Sequence, residues 1–462
     1  MSSLTQHLEH PRGRGVTPPR SHAGAAGGAA CGDLIRISAQ VCGERVSAAG
    51  FDASGCGSAI AAGSAATTLL ERSADVLEAA RIGPDEIAAE LGGLSPAKRH
   101  AAELAADALH RALGAAARAD ARLAAEPSRT LVAMSGGVDS AVAALLCPVG
   151  SIAVTLELWS DPENDGEASC CSSQSVRSAR ALAHRLKLPH FALDLRAEFR
   201  AGVVDPWLEA HAAGDTPNPC VRCNGSVRLD AMLEFASRLG AQTLATGHYA
   251  RLERGLLRTA ADPAKDQSYM LAALAPQSLA RMSFPLGALR KAQVRELAEA
   301  AGLPVARKPD SQDLCFLAGT GRARFLAKHA RRQPAAGMIV DSAGHELGAH
   351  DGQHHFTVGQ RRGLRVGGGS GEPLYVLGKR ADTVVVGPRS MLEARRVRLR
   401  ELTLHRPARE VDGVRLRYHA RTLSCALGEE LELHEPAFGA APGQLACLMS
   451  GELVVGHATI AA

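Results

Sequence analysis

Residues 130–146 read TLVAM, SGGVDS, AVAALL. The first five residues are a short β-rich run and the last six are helical. The loop between them puts Gly136 and Gly137 where the backbone must turn tightly and come close to a ligand. Exposed N–H groups at the start of the following helix favour an anion. Ser135 and Ser140 add hydroxyl donors, and Asp139 can hold a magnesium ion or orient the site. No Lys-Ser/Thr pair follows, so this is not a Walker A loop.

The same alternation continues outward. Ser151–Trp159 reads as a strand, Val176–Leu186 as a helix and PHFALDL (189–195) as a strand. Residues 229–239 read as a helix and QTLATGHY (242–249) as a strand. Strand–helix alternation predicts a doubly wound parallel sheet through about residue 250. Upstream, residues 11–30 are rich in Pro, Gly and Ala and read as irregular. DLIRISAQV and ERVSAAGFD read as strands around a turn at Cys42–Glu44. Ala59–Arg72, Asp85–Leu91 and Pro96–Leu123 read as helices, with Ser95 as the N-cap of the last. Residues 126–129 (EPSR) read as a linker. Residues 277–330 look mainly helical, and from about 337 the chain turns to Gly and β-branched residues with turn signals, as in an all-β part. The expected class is multidomain α/β. It divides into an α+β unit at 1–125, a parallel-sheet unit carrying the anion-binding loop at 129–275, a helical part at 276–336 completing it, and β-rich units at 337–462.

The 462 residues suit about three domains. Hydrophobic residues make up 46% and aromatics only 3%, so alanine and small aliphatics must fill the cores. No run is long enough to cross a membrane, and the first fifteen residues have no apolar core of a secretory signal, so a cytoplasmic location is expected. The net charge of +4 is uneven: residues 1–128 carry 12 Lys+Arg against 14 Asp+Glu, which leaves +6 on the remainder. That excess permits nucleic-acid binding without establishing it. Basic clusters lie at Arg322–Arg332, Arg361–Arg362 and Arg395–Arg400. Eleven cysteines in a reducing compartment point away from a disulfide framework and toward metal or sulfur chemistry. Cys220 and Cys223 are spaced CxxC in TPNPCVRCN (216–224), where Pro217 and Pro219 argue against a helix. Cys315 ends DSQDLC and is expected in a polar loop. Cys147, Cys425 and Cys447 have apolar neighbours and read as small core residues, whereas Cys170 and Cys171 fall in a polar loop. Trp159 and Trp207 read as core or surface anchors.

SGGVDS resembles the loop of the PP-loop ATP pyrophosphatases, which cleave ATP to AMP and pyrophosphate while adenylating a substrate oxygen. Seven further motifs follow in order: TPNPCVRCN, ATGHY (245–249), KDQSY (265–269), SFPLG (283–287), KPDSQDLCF (308–316), FTVGQRRGL (356–364) and PGQ (442–444). Together they resemble the tRNA-specific 2-thiouridylase (MnmA) family over about residues 129–462. The resemblance implies a PP-loop catalytic domain, a small linking domain and a C-terminal β-barrel-like domain. It implies thiolation of the wobble uridine in the tRNAs for Lys, Glu and Gln, with ATP and Mg2+ as cofactors. The sulfur would come from a cysteine desulfurase or a sulfur relay protein.

By motif, Cys223 falls at the nucleophile or disulfide-forming position and Cys315 at that of the persulfide carrier. Ala133, Met134, Ser135, Gly136, Gly137, Val138, Asp139, Ser140, Leu156 and Gly247 fall at ATP-binding positions. Ala133 stands where glycine is frequent and Leu156 where methionine is frequent. His248, Lys265, Asp266, Gln267, Arg417, Tyr418 and Gln444 fall at tRNA-contacting positions. Some family members carry an acidic residue where this chain has Cys220. Cys220, Cys223 and Cys315 thus form a three-thiolate set of the kind that holds a 4Fe–4S cluster with one iron open, a second route beside the persulfide.

HLEHPRGRG (7–15), ACGD (30–33), GCGSAIA (55–61) and KRHAAELAADAL (98–109) resemble the NifU/IscU-type iron–sulfur scaffold. Cys31 and Cys56 match the first two of its three cysteines and Asp33 its ligand-tuning aspartate. Ala101 occupies the place of the third. Cys31, Asp33, Cys56 and His100 remain as four candidate ligands for zinc or a labile cluster. Cys42 could stand in only if the fold brought it near. Two other functions compete: another PP-loop amidase or ligase acting on a small metabolite, and an iron–sulfur carrier with a vestigial ATPase.

Overall fold

A computed structural model describes residues 3–27, 32–160, 173–310, 314–329, 336–364, 366, 372–380 and 382–461. Cys31, Cys170, Cys171, residues 311–313 of the DSQDLC motif and the end of the basic run at 330–332 lie outside the described residues.

Helix α1 (Ser3–Glu9) precedes three antiparallel strands, β1 (His22–Gly27), β2 (Leu34–Cys42) and β3 (Arg45–Ser54), in the order β1-β2-β3. Helices α2 (Gly57–Arg72), α3 (Val76–Ala79), α4 (Pro84–Glu90) and α5 (Arg99–Asp120) follow. Strand β1 lies in the stretch expected to be irregular. It has no β-branched residue, and what favours it is close packing: a Cβ on Gly24 would sit 2.4 Å from the backbone of Ala112 in α5. The expected long helix instead starts as a 3-10 turn at Pro96–Lys98, where the Ser95 side chain makes no capping bond, and continues as the alanine-rich α5.

The expected linker EPSR is the first half of β4 (Glu126–Ala133), since Glu126 already pairs with Ala241. Next come α6 (Val138–Leu145), β5 (Ile152–Glu157), α7 (Ser173–Arg185), β6 (His190–Asp194), α8 (Arg196–Phe199), α9 (Asp205–Ala212), α10 (Pro219–Cys223), α11 (Leu229–Arg238) and β7 (Ala241–Ala245). With β10 (Met282–Ser283) the strands form one parallel sheet, ordered β10-β7-β4-β5-β6. The chain runs from β4 outward to β6, then crosses back to the other side of β4. The C-terminal end of β4 is therefore the topological switch point, where such sheets leave a crevice for ligand. SGGVDS occupies it.

The hairpin β8 (Arg251–Glu253) and β9 (Leu256–Arg258) leaves this domain and joins the C-terminal sheet, where Arg258 pairs with Leu453. Four strands between Gly337 and Gly387 form a separate small sheet, and the strands from Glu393 to Ile460 complete the larger one. No helix of the described residues is long and apolar enough to cross a membrane.

The N-terminal domain is docked, not tethered. One continuous apolar core runs from Ile35 and Leu109 through Leu131 and Phe191. Helix α5 lies along the edge strand β6, so close that a Cβ on Gly114 would meet Ala192 O at 2.0 Å. His190 N–H donates to Ala80 O at 2.9 Å. Buried Asp107 accepts from Arg177 and Arg180, each at 2.7 Å, and Arg111 Nε donates to Glu157 at 2.6 Å.

His110, His184 and His190 cluster in this contact, with Arg180 facing all three and Glu86 and Arg81 facing His184. Both ring nitrogens of His110 face carbonyl oxygens, which favours the proton, but complete burial outweighs this and holds it neutral. Burial likewise lowers His184, and lowers His190 well below the usual range. Their folded values lie below the unfolded value of about 6.5, so the unfolded chain takes up more protons. Stability from each neutral ring is full at neutral pH. It falls by up to about 1.4 kcal/mol per pH unit below about 6.5. Thermal melts from pH 7.5 to 5 should drop, and a His190→Gln variant should flatten the slope.

Candidate active site

Gly136 has φ +72°, and a Cβ there would lie 2.9 Å from Ser175 O in α7, so the loop needs glycine on both counts. Gly137 caps α6 in an extended conformation. Ser140 Oγ accepts from the Ser135 N–H at 3.1 Å and donates to Gly137 O at 3.0 Å, which fixes the loop's curl. Gly247, at the end of β7, abuts this loop: a Cβ would be 2.9 Å from both Asp139 C and Ser140 N.

Three residues that the sequence reading missed support the loop. Lys291 Nζ reaches both Asp139 oxygens, at 2.7 and 2.8 Å, and Tyr249 donates its hydroxyl to Asp139 at 2.8 Å. Lys308 Nζ donates to Gly136 O at 3.1 Å. Lys308 was visible inside KPDSQDLCF, whereas nothing in the sequence marked Lys291. Asp310 binds Lys265, Lys291 and Arg295 at 2.7–3.0 Å; although burial alone would raise its pKa, the lysines hold it below the usual carboxylate range. The segment carrying Cys315 is thereby tied to the phosphate loop.

A cavity of about 520 Å³ opens from the loop, a size suited to a small-molecule ligand. Ala133, Met134, Ser135 and Leu156 line one part of it, and Cys220, Cys223 and Cys315 another. Cys220 and Cys223 are on α10, a single turn at the place where proline argued against a helix. The reason is positional: Pro219 is the first helical residue, where its missing N–H costs no bond, and Asn218 caps the turn by accepting from the Cys220 N–H at 3.0 Å. One helical turn places Cys220 and Cys223 on the same face. Cys223 is buried and Cys315 half-buried. Phe316 is buried among Phe199, Trp207 and Phe325, with ring centroids 5.1–5.9 Å away, which anchors the Cys315 turn against the apolar core rather than in a polar loop. Trp159 and Trp207 both belong to this aromatic cluster.

His248, Gln267 and Tyr418 also line the cavity. Burial and the nearby Arg228 guanidinium push His248 down to about 3, so it is a neutral hydrogen-bonding group, and its Nδ1 is 2.8 Å from Thr246 Oγ1. Asp266 is buried and holds Arg415 at 2.5 Å and the Ser268 hydroxyl at 2.8 Å. Arg417 bonds Gly439 O, and Gln444 bonds Thr216 O just ahead of α10. Cys425 and Cys447 are buried as expected, and burial pushes their thiols up to about 11 and about 12. Cys147 is only half-buried.

A second group of ligands lies in the N-terminal domain. Asp33, Cys56 and His100 bring ligand atoms within 4.8 Å of one another, and among the described residues they are the one group of three that does so. Cys56 donates its N–H to Asp33 Oδ1 at 2.7 Å, and this bond above all keeps the carboxyl below its usual range. His100 Nε2 is 3.0 Å from Asp33 Oδ2. Gly55, at φ +124°, leaves room for this carboxylate, which a Cβ would strike at 2.0 Å. Ala101 is fully buried and supplies no ligand. Cys42 ends β2 at the opposite end from Asp33, about 30 Å away at strand rise, so it cannot stand in.

Three family models match the chain: NifU-like N terminal domain over residues 2–120, tRNA methyl transferase HUP domain over 128–319, and tRNA methyl transferase PRC-barrel domain over 323–388. The chain is 43% identical to a bifunctional protein NifU/MnmA of Rubrobacter xylanophilus, over 99% of this chain and 98% of that one. It is 41% identical to the tRNA-specific 2-thiouridylase MnmA of Zymomonas mobilis, over 71% of this chain and 92% of that one. It is 43% identical to the same enzyme of Thermobifida fusca, over 72% and 95%. The expected division into an α+β scaffold-like domain, a parallel-sheet domain and a β-rich C-terminal region agrees with these matches. The chain belongs to the tRNA-specific 2-thiouridylase MnmA family, in the form that carries a NifU-like domain at its N-terminus.

Proposed function

We propose that this protein converts the wobble uridine of the tRNAs for Lys, Glu and Gln to 2-thiouridine in the cytoplasm. The observation that carries this reading is the single cavity that joins the phosphate loop to three cysteines. The C2 oxygen of uridine is a poor leaving group. Its attack on the α-phosphate of ATP releases pyrophosphate and makes the departing group AMP. The loop N–H groups stabilise the pyrophosphate; Mg2+ would add charge neutralisation there, and Asp139 would hold it only by exchanging the Lys291 ammonium that now bridges both its oxygens at 2.7 and 2.8 Å. The uridine must leave its stack to enter the cavity.

Two sulfur routes use the same residues. In the first, the terminal sulfur of a Cys315 persulfide attacks C2 and displaces AMP. The Cys223 thiolate then attacks Cys315 Sγ, forming the disulfide and leaving the sulfur doubly bonded to C2. A desulfurase or relay protein supplies the sulfur, and an external thiol reduces the disulfide. In the second, Cys220, Cys223 and Cys315 would hold a 4Fe–4S cluster, which would supply sulfide for the attack on C2. The donor set fits: three thiols share one cavity, yet they are not drawn within 4.8 Å of one another as a single ion would require. Asp33, Cys56 and His100 offer a separate site for zinc or a labile cluster.

Anaerobic purification with iron, sulfide and zinc analysis separates these routes. The cluster route predicts about four irons per chain, lost in Cys220→Ser. Iron-free protein that still thiolates tRNA removes that route. Absence of tRNA-dependent AMP release would remove the whole reading, in favour of an amidase, a ligase or a carrier.

A further inference from the structure

Arg228 carries a charge the fold leaves unanswered. Among the described residues lining the cavity it is the only one with a cationic side chain, and no carboxylate lines the cavity with it. Its Nε is buried and has no hydrogen-bond partner, and it makes no ion pair among the described residues. Arg228 is half-buried, and its buried, unpartnered Nε is best satisfied when an anion meets the guanidinium from the cavity.

The backbone aims the side chain there. The helical run from Pro219 to Arg238 is interrupted by a π turn at Asn224–Arg228. In an unbroken α-helix, residue 228 would point about 140° away from residue 223. A π turn closes i→i+5 bonds and brings i+5 back above i, so Arg228 shares the cavity face with Cys223. The next segment fits this register, because a Cβ on Gly202 would touch Val227 at 2.6 Å. Arg228 is also close enough to His248 to help hold that ring neutral.

We infer that Arg228 binds the α-phosphate of the adenylated uridine and takes up the charge that develops as AMP departs. The inference rests on the thiolation reading above. The two leaving groups would then have separate receptors. Pyrophosphate, which leaves first, faces the loop N–H groups beside Lys308. AMP, which leaves second, faces Arg228 next to the attacking sulfur. The adenylate phosphate carries one negative charge and AMP gains a second as the C2–O bond breaks, so Arg228 matters most in the second step. Bidentate N–H donation also suits a guanidinium to a phosphate.

The test compares the two half-reactions in Arg228→Gln and Arg228→Lys. Adenylation is read as tRNA-dependent exchange of labelled pyrophosphate into ATP, and sulfur transfer as 2-thiouridine formed under single turnover. Arg228→Gln should keep exchange within about tenfold while sulfur transfer falls about 100-fold or more. Arg228→Lys, which keeps the charge but not the bidentate geometry, should recover part of that loss. The pH profile of cysteine alkylation should be unchanged in Arg228→Gln, with a melting temperature close to wild type. Equal loss in both half-reactions, or no loss in either, overturns the inference. An upward shift in the alkylation profile also overturns it and reassigns Arg228 to the thiolates. A wild-type protein with no tRNA-dependent exchange would instead overturn the thiolation reading itself.

Discussion

Serine in place of Cys315 should leave tRNA-dependent pyrophosphate exchange into ATP largely intact, yet reduce 2-thiouridine to background, at least about 10³-fold. A hydroxyl fills the volume of the thiol but neither carries a persulfide nor ligates iron usefully. The turn itself should survive, because Phe316 anchors it among Phe199, Trp207 and Phe325. Cys223→Ser should match Cys315→Ser, since both routes need both sulfurs. Cys220→Ser is the informative contrast: it should retain activity if sulfur travels as a persulfide and lose it if three thiolates hold a cluster. Quantifying 2-thiouridine in digested tRNA reads all three. Full activity in Cys315→Ser would refute the sulfur chemistry assigned to this cavity.

The second large effect is expected at a residue that touches no sulfur. Gly247→Ala adds one methyl group 2.9 Å from the backbone of both Asp139 and Ser140. Neither neighbour is a flexible side-chain end. Asp139 is held by Lys291 and Tyr249, and Ser140 by its bonds across the loop, so the loop must move as a unit. A displacement on the order of 1 Å at a site that works by positioning costs about 100-fold. ATP affinity and pyrophosphate exchange should fall together in Gly247→Ala, while cysteine alkylation stays as in wild type. Normal ATP binding would show that the loop yields more readily than its contacts imply.

Much of this site was legible because its chemistry is local in sequence. SGGVDS carries its own turn, hydroxyls and helix start, and CxxC becomes one face of one helical turn. The strand alternation announced the parallel sheet, and the order of the sheet then put the loop at the switch point. What stayed illegible depended on distance in the chain. Lys291 meets Asp139 across 152 residues, and its own surroundings mark it as an ordinary helix-start lysine. Arg228 looks like a surface arginine until the π turn rotates it inward. Strand β1 has the composition of a linker and pairs only because its small residues let α5 approach. Pro219 was misread because proline breaks a helix interior but suits its first position. The docking of the N-terminal domain was hidden for the same reason: Gly114 and His110 read as ordinary residues of an alanine-rich helix, and only Ala192 and His190 give them meaning.

That docking bears on how the chain is made. The ribosome releases the N-terminal domain first, and domains fold largely as they emerge. Helix α5 is therefore in place before β6 is synthesised, and the edge strand meets a waiting surface as it leaves the exit tunnel. A rearranged gene that encoded residues 126–462 ahead of residues 1–125 would reverse this sequence. The β6 edge would then stand bare for on the order of tens of seconds at ordinary elongation rates, open to pairing with the same strand of a neighbouring nascent chain. Such a rearrangement should keep every contact of the finished fold and still lose yield to aggregation, which places part of the value of the fusion in the timing of synthesis.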